Sequence, residues 1–138
     1  MKDFLTGLWT YIQTTSASSF YNGIGGRIYY GSAPSGTQFP YSALNIDSNT
    51  HDWQFKTDYE EPVVLLNIFS DDPDGSEVLD LELKARDAFD EANFTVTNHT
   101  LIKFRFDNEW LSVDPNIIPN KMIWQYSIQY RALLRKST

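Results

Sequence analysis

The apolar positions along this chain change their period several times, and each change marks an element. Phe4, Leu5, Leu8, Trp9 and Ile12 recur at three- and four-residue intervals. That spacing predicts an amphipathic helix over about 3–17, with Asp3 placed to accept orphan N–H groups in its first turn. The small hydroxylated residues of 14–19 compete for their own backbone and should end it. Residues 21–26 hold three glycines and read as turn. Arg27 to Tyr30 forms a short strand, Pro34, Gly36 and Pro40 punctuate a loop, and 41–48 alternates imperfectly as a second strand. The polar segment 49–58, with Trp53 and Phe55 inside it, either extends a hairpin or makes a mobile excursion that becomes ordered on assembly.

Residues 61–70 are apolar on both parities, the pattern of a central strand covered on both faces, with Pro62 tolerable only near its start. The acidic turn of 71–77 then opens a helix running from about 77 to 92. Asp74 and Glu77 have capping-box spacing, and Ser76 is an alternative cap. Val78, Leu81, Ala85, Ala88, Phe89 and Ala92 make its apolar stripe, and Asp80–Lys84 and Glu82–Arg86 pair along the wet side. Strict alternation returns over 101–106, where Ile102, Phe104 and Phe106 oppose Lys103 and Arg105. It returns again over 122–134, where Met122, Trp124, Tyr126, Ile128, Tyr130, Ala132 and Leu134 share a face. The stretch 107–120 reads as a long irregular connection. The expected fold is α+β: an antiparallel or mixed sheet of about four to five strands, one long helix (about 77–92) across one face, an N-terminal helix, and 1–138 as one domain.

Composition narrows the function classes. Eighteen acidic against eleven basic residues give a formal charge of -7, which opposes a phosphate backbone and disfavours nucleic-acid binding. With no cysteine, disulfides, thiolate zinc sites and thiol nucleophiles are all excluded. The N-terminal apolar positions are interrupted by Thr6, Gly7 and Thr10, unlike a signal peptide, and no run reaches the ~20 apolar residues of a membrane helix, so a soluble protein is expected. Aromatic residues reach 15%, more than a core of this size easily hides, so some should serve an interface.

The chemistry available is thin. Asp71, Asp72, Asp74 and Glu77 cluster as a metal site or acid/base pair would, yet Asp-Asp-Pro-Asp-Gly is also a turn with a cap, and it lacks the spaced ligands of a calcium loop. The glycines of 23–26 have no following lysine and no strand-loop-helix context for phosphate. His51 and His99 lie in polar segments and read as exposed, and no Gly-x-Ser-x-Gly elbow supports a triad. Asn93-Phe94-Thr95 and Asn98-His99-Thr100 match a glycosylation pattern short enough to arise by chance. Catalytic residues, cofactor-binding residues and metal ligands are therefore expected to be none. A carbohydrate- or peptide-binding module using Trp53, Phe55, Tyr59 and Trp110 is the competing reading from a different class.

The order of segments carries more than any one motif. Gly26-Arg27-Ile28-Tyr29, Ala33-Pro34 and Phe39-Pro40-Tyr41 come first, and the apolar strand 64–69 precedes the helix. Trp124-Gln125-Tyr126-Ser127-Ile128-Gln129-Tyr130-Arg131-Ala132 ends the series. Over nearly its whole length the chain resembles the tail-completion family of long-tailed bacteriophages, the tail terminator or tail-to-head joining proteins. The resemblance implies a non-enzymatic virion protein, made in the host cytoplasm and placed at the head-tail junction. It implies a self-assembled ring, a hexamer, that ends the tail tube and meets the head connector or head-closure protein, with DNA passing through the lumen without specific binding and no membrane partner. A neck or head-closure protein on the connector side is the neighbouring reading. The expected interface residues are Arg27, Tyr29, Tyr30, Pro34, Phe39, Trp53, Phe55 and Trp110, and the lumen wall is expected to be richer in acid than in base.

Overall fold

The computed structural model describes residues 1–14, 18–54, 57–118 and 121–137. Eight elements follow in order: helices α1 (Lys2–Ile12) and α2 (Ser18–Gly23), strands β1 (Ile28–Tyr30), β2 (Tyr41–Gln54) and β3 (Thr57–Ser70), helix α3 (Ser76–Phe89), and strands β4 (His99–Ile118) and β5 (Lys121–Lys136). The strands form one mixed five-stranded sheet in the order β1-β2-β3-β5-β4. Only β1–β2 is parallel, and the other three pairings are antiparallel. Two long hairpins, β2–β3 and β4–β5, thus lie side by side with β3 and β5 at the centre. The architecture is α+β.

Register explains the core. Leu44, Leu66, Ile128 and Glu109 are successive partners across the sheet. The positions that share their parity, Val64, Ile68, Tyr130, Ala132 and Leu134, pack with Phe4, Leu8 and Ile12 of α1, Phe20 of α2, and Val78, Leu81, Ala85, Ala88 and Phe89 of α3. Aromatic contacts run within and between these layers: Phe104 stacks on Tyr130 at 5.0 Å in the sheet, Phe20 is edge-on to Phe89 at 5.7 Å between helices, and Phe89 meets Tyr130 at 6.1 Å across the two. The face turned away from the helices carries Asn67, Gln125 and Ser127. Ser127 Oγ donates to Asn67 Oδ1 (2.6 Å) and Gln125 Nε2 donates to the same oxygen (3.2 Å).

Several sequence expectations need correction. The first helix ends at Ile12, not 17, and a second begins at Ser18, so the first half of the expected turn 21–26 is helical. Buried Phe20 anchors that half, and the turn follows at Gly25 and Gly26, both at positive φ. Helix α3 stops at Phe89, three residues short of 92. Its N-cap is Gly75, in the left-handed region, without a side-chain cap. Neither the capping box nor a Ser76 cap forms. Asp74 Oδ1 instead accepts from the Ser76 N–H (2.9 Å), and Glu77 accepts from Ser70 Oγ (2.6 Å). Asp72 and Asp74 serve this turn as backbone acceptors.

The polar segment 49–58 continues the hairpin, with Asn49–Gln54 and Thr57–Asp58 paired in the β2–β3 ladder. Its pattern is not apolar because polar contacts hold it. Asn49 Nδ2 donates to Glu60 Oε1 (3.0 Å), while His51 sits 3.1 Å from Asp58 and 3.4 Å from Glu60. His99 Nε2 reaches the other Glu60 oxygen at 3.0 Å, so its side chain is nearly buried and not exposed as expected. Pro62 falls well inside β3. The β3–β5 ladder skips Glu61 and Pro62, as a residue without an N–H requires.

The expected connection 107–120 is strand, since β4 runs unbroken in sequence to Ile118. Bulges at 101/103 and 106/108 shift its parity twice, which hides the pairing from a period-2 reading. Ile102, bulged out, is exposed, and Leu101 takes the place against the core. As an edge strand, β4 also tolerates Pro115.

Candidate assembly interface

The eight expected interface residues fall in three places. Arg27, Tyr29, Tyr30, Pro34 and Phe39 gather at the β1 edge. Arg27 is not available as a hook, because its Nε and Nη2 donate to the Pro40 and Phe39 carbonyls (3.0 and 3.5 Å) and fasten the 31–40 loop. Phe39 leans on Tyr41 at 5.2 Å, and Tyr41 stacks on Phe69 at 4.8 Å. Tyr29 is half-buried, Pro34 is exposed, and Tyr30 presents 54% of its surface. Trp53, 68% exposed, stands near the end of the β2–β3 arm opposite Asp58. Phe55 lies outside the described residues. Trp110 is exposed on β4, at the other edge of the sheet.

Register sets the distances between these groups. Trp53 lies level with Asp58 of β3, whereas Trp110 lies level, through Ser127, with Asn67. Nine strand residues separate the two levels, roughly 30 Å at 3.3 Å per residue. The two indoles therefore do not converge on one small ligand. Tyr30, by contrast, lies level with Glu109 through Leu44, Leu66 and Ile128. The Tyr30 and Trp110 edges are thus at one height on opposite sides of the sheet, about 19 Å apart at ~4.8 Å per strand spacing.

The β4 side carries a larger apolar surface than the sequence had indicated. Leu111 and Val113 of β4, Leu79 and Leu83 of α3, and Met122 of β5 are all exposed. Leu79 and Leu83 were legible as an i,i+4 pair off the buried stripe of α3. Leu111 and Val113 were hidden by the misread connection. Beside them Arg86 joins α3 to β4. It lies over the Phe106 ring at 3.7 Å, holds Asp90 at 2.8 Å, and reaches Glu109 and Glu82 at 3.4 and 3.7 Å. Tyr130 donates to Asp90 Oδ1 (2.8 Å), and burial with that carboxylate pushes its phenol well above the ordinary value. Three carboxylates share one guanidinium here. Glu82, 8% exposed, is pushed up to about 7, by burial first and then by the hydrogen bond and charge of Glu109.

No helix among the described residues is long and apolar enough to cross a membrane. No protein-family model matches the chain, and no curated protein matches it. Among solved structures, the fold is similar to that of a chain in the virion of a native gene transfer agent particle. The TM-score is 0.78 at 11% identity, over 94% of this chain and 92% of that one. At that identity the likeness is one of fold.

Proposed function

We propose that this chain is a structural virion subunit of the tail-completion kind, one domain over 1–138, that closes into a hexameric ring at the head-tail junction. One ring face meets the tail tube protein and the other the head connector, and DNA passes through the middle. The observation that carries the reading is the pair of unlike sheet edges. A ring is built from heterologous contacts, in which one patch of a subunit meets a different patch of the next. Here the β1 edge with Tyr30 and the 31–40 loop, and the β4 edge with Trp110 beside exposed Leu111 and Val113, lie level on opposite sides of one sheet. Its α+β fold, likewise found in a gene transfer agent virion chain, supports the same placement. The long helix α3 contributes Leu79 and Leu83 to the β4 side. The reading has no catalytic step, cofactor or metal, and no membrane partner.

Native mass spectrometry of the purified protein, alone and with tail tubes, tests it. The expected result is a closed hexamer, formed on its own or on the tube end. A monomer that ignores tube ends would refute it, as would particles lacking the protein that still show head-joined tails of fixed length.

A further inference from the structure

Charge is segregated in this molecule. Residues 71–91 hold nine acidic and two basic side chains, a balance of -7 that equals the formal charge of the entire chain. Everything outside that segment is neutral on balance, and four of its nine cations stand together. Lys103, Arg105, Arg131 and Arg135 are exposed and share the open face of the β4–β5 hairpin, with Lys103 opposite Leu133, Arg105 opposite Arg131, and Arg135 opposite Thr100. Like charges directly opposed in a ladder cost stability. Arg131 is partly compensated by Asp107 (3.1 Å) and Glu61 (3.4 Å). Lys103, Arg105 and Arg135 have no ion-pair partner among the described residues. Around them the same face is amide-rich, with Gln125, Gln129 and Asn67.

We infer that this open sheet face is a non-specific contact surface for the phosphate backbone of duplex DNA. The inference rests on the proposed function, which supplies the DNA and a channel. Exposed cations on a sheet face, without converging base-reading groups, match sequence-independent backbone contact. Residues two apart on a strand repeat every ~6.8 Å, about two axial steps of one DNA strand at ~3.4 Å each. The acidic 71–91 segment of a second copy is the other anion this face could meet. That segment belongs to the helix side of the same molecule, so a second copy would meet this face helix side to sheet face, a contact distinct from the edge-to-edge one of the proposed ring. The inference also reverses the expectation of an acid-rich lumen: the wall offered to DNA carries four cations against Asp52, Glu61 and Asp107.

The test is fluorescence anisotropy of a short labelled duplex with the full-length protein across a salt series, its oligomeric mass measured in the same samples. The expected result is weak binding, with a dissociation constant of about 10⁻⁴ to 10⁻⁶ M and a log-log salt slope of about -3 to -4 for three to four phosphate contacts. K103Q/R105Q should weaken it about tenfold with an unchanged melting curve, whereas D80N/D87N on the helix side should not weaken it. No duplex binding at low salt, or binding indifferent to K103Q/R105Q, overturns the inference. So does loss of self-association in that variant without any DNA binding, which would give the face to a second copy. Hexamers that fail to bind DNA refute the contact and keep the ring; monomers that bind it refute the ring and keep the contact.

Discussion

Replacing Glu82 with glutamine should make the protein more stable at pH 8 than the original and leave it nearly unchanged at pH 5. Glu82 sits buried on α3 beside the half-buried Asp90 and Glu109, with Arg86 as the nearby cation among the described residues, and its carboxyl is raised from an ordinary 4.5 to about 7. A raised acid favours its protonated form in the folded state. Its contribution is fully present below the unfolded value and is lost as pH rises through about 7. The gap between 4.5 and 7, at about 1.4 kcal/mol per pH unit, sets a ceiling of about 3 kcal/mol. Screening by solvent at the cluster's open side, and the lost attraction to Arg86, bring the net gain of E82Q at pH 8 to about 1–2 kcal/mol. Urea melts of both proteins at pH 5 and pH 8 measure it, because the difference between the two cancels the titrating groups that Glu82 does not touch. A stability difference that stays the same at both pH values would refute the argument.

Three further perturbations test the packing and the apolar surface. Gly75→Ala should cost about 2 kcal/mol, because the residue is left-handed at φ 74 and a Cβ would stand 3.0 Å from the Trp124 ring; a thermal melt within error of the original would contradict that. Asn67→Ala strands the buried Ser127 hydroxyl and should cost about 1–3 kcal/mol in urea unfolding, with part recovered in N67A/S127A. Leu83→Asp, at a position 61% exposed, should change monomer stability by no more than about 0.5 kcal/mol yet reduce hexamer formation in sedimentation velocity; an unaffected hexamer would free this surface from assembly.

The legible parts of this fold were those where a buried face imposes a period. The α3 stripe from Val78 to Phe89 and the long alternation of β5 could be read directly, because each has one core to face; the both-parity run of β3 marked a central strand, but the helices cover one of its faces and the expected cover on the other is replaced by an open face with Asn67. The failures share a cause. The β2–β3 arm is held by Asn49, His51 and Glu60, polar partners that a hydrophobic period does not register. In β4, bulges near 102 and 107 change which residues face inward without ending the strand. Of the interface candidates, the gathering of Tyr29, Tyr30, Pro34 and Phe39 follows from their nearness in sequence. That Arg27 is spent on the Pro40 and Phe39 carbonyls does not.

The sequence by itself determined an α+β chain without cysteine, its first and third helices and central strands, and a surplus of aromatic surface. Those properties depend on local periodicity and composition. Only the tertiary structure decided that Tyr30 and Trp110 stand level on opposite edges, that Trp53 is remote from both, and that Lys103, Arg105, Arg131 and Arg135 share the open face of β4–β5. Strand order and register are set by pairings between residues far apart in the chain, so no local pattern encodes them.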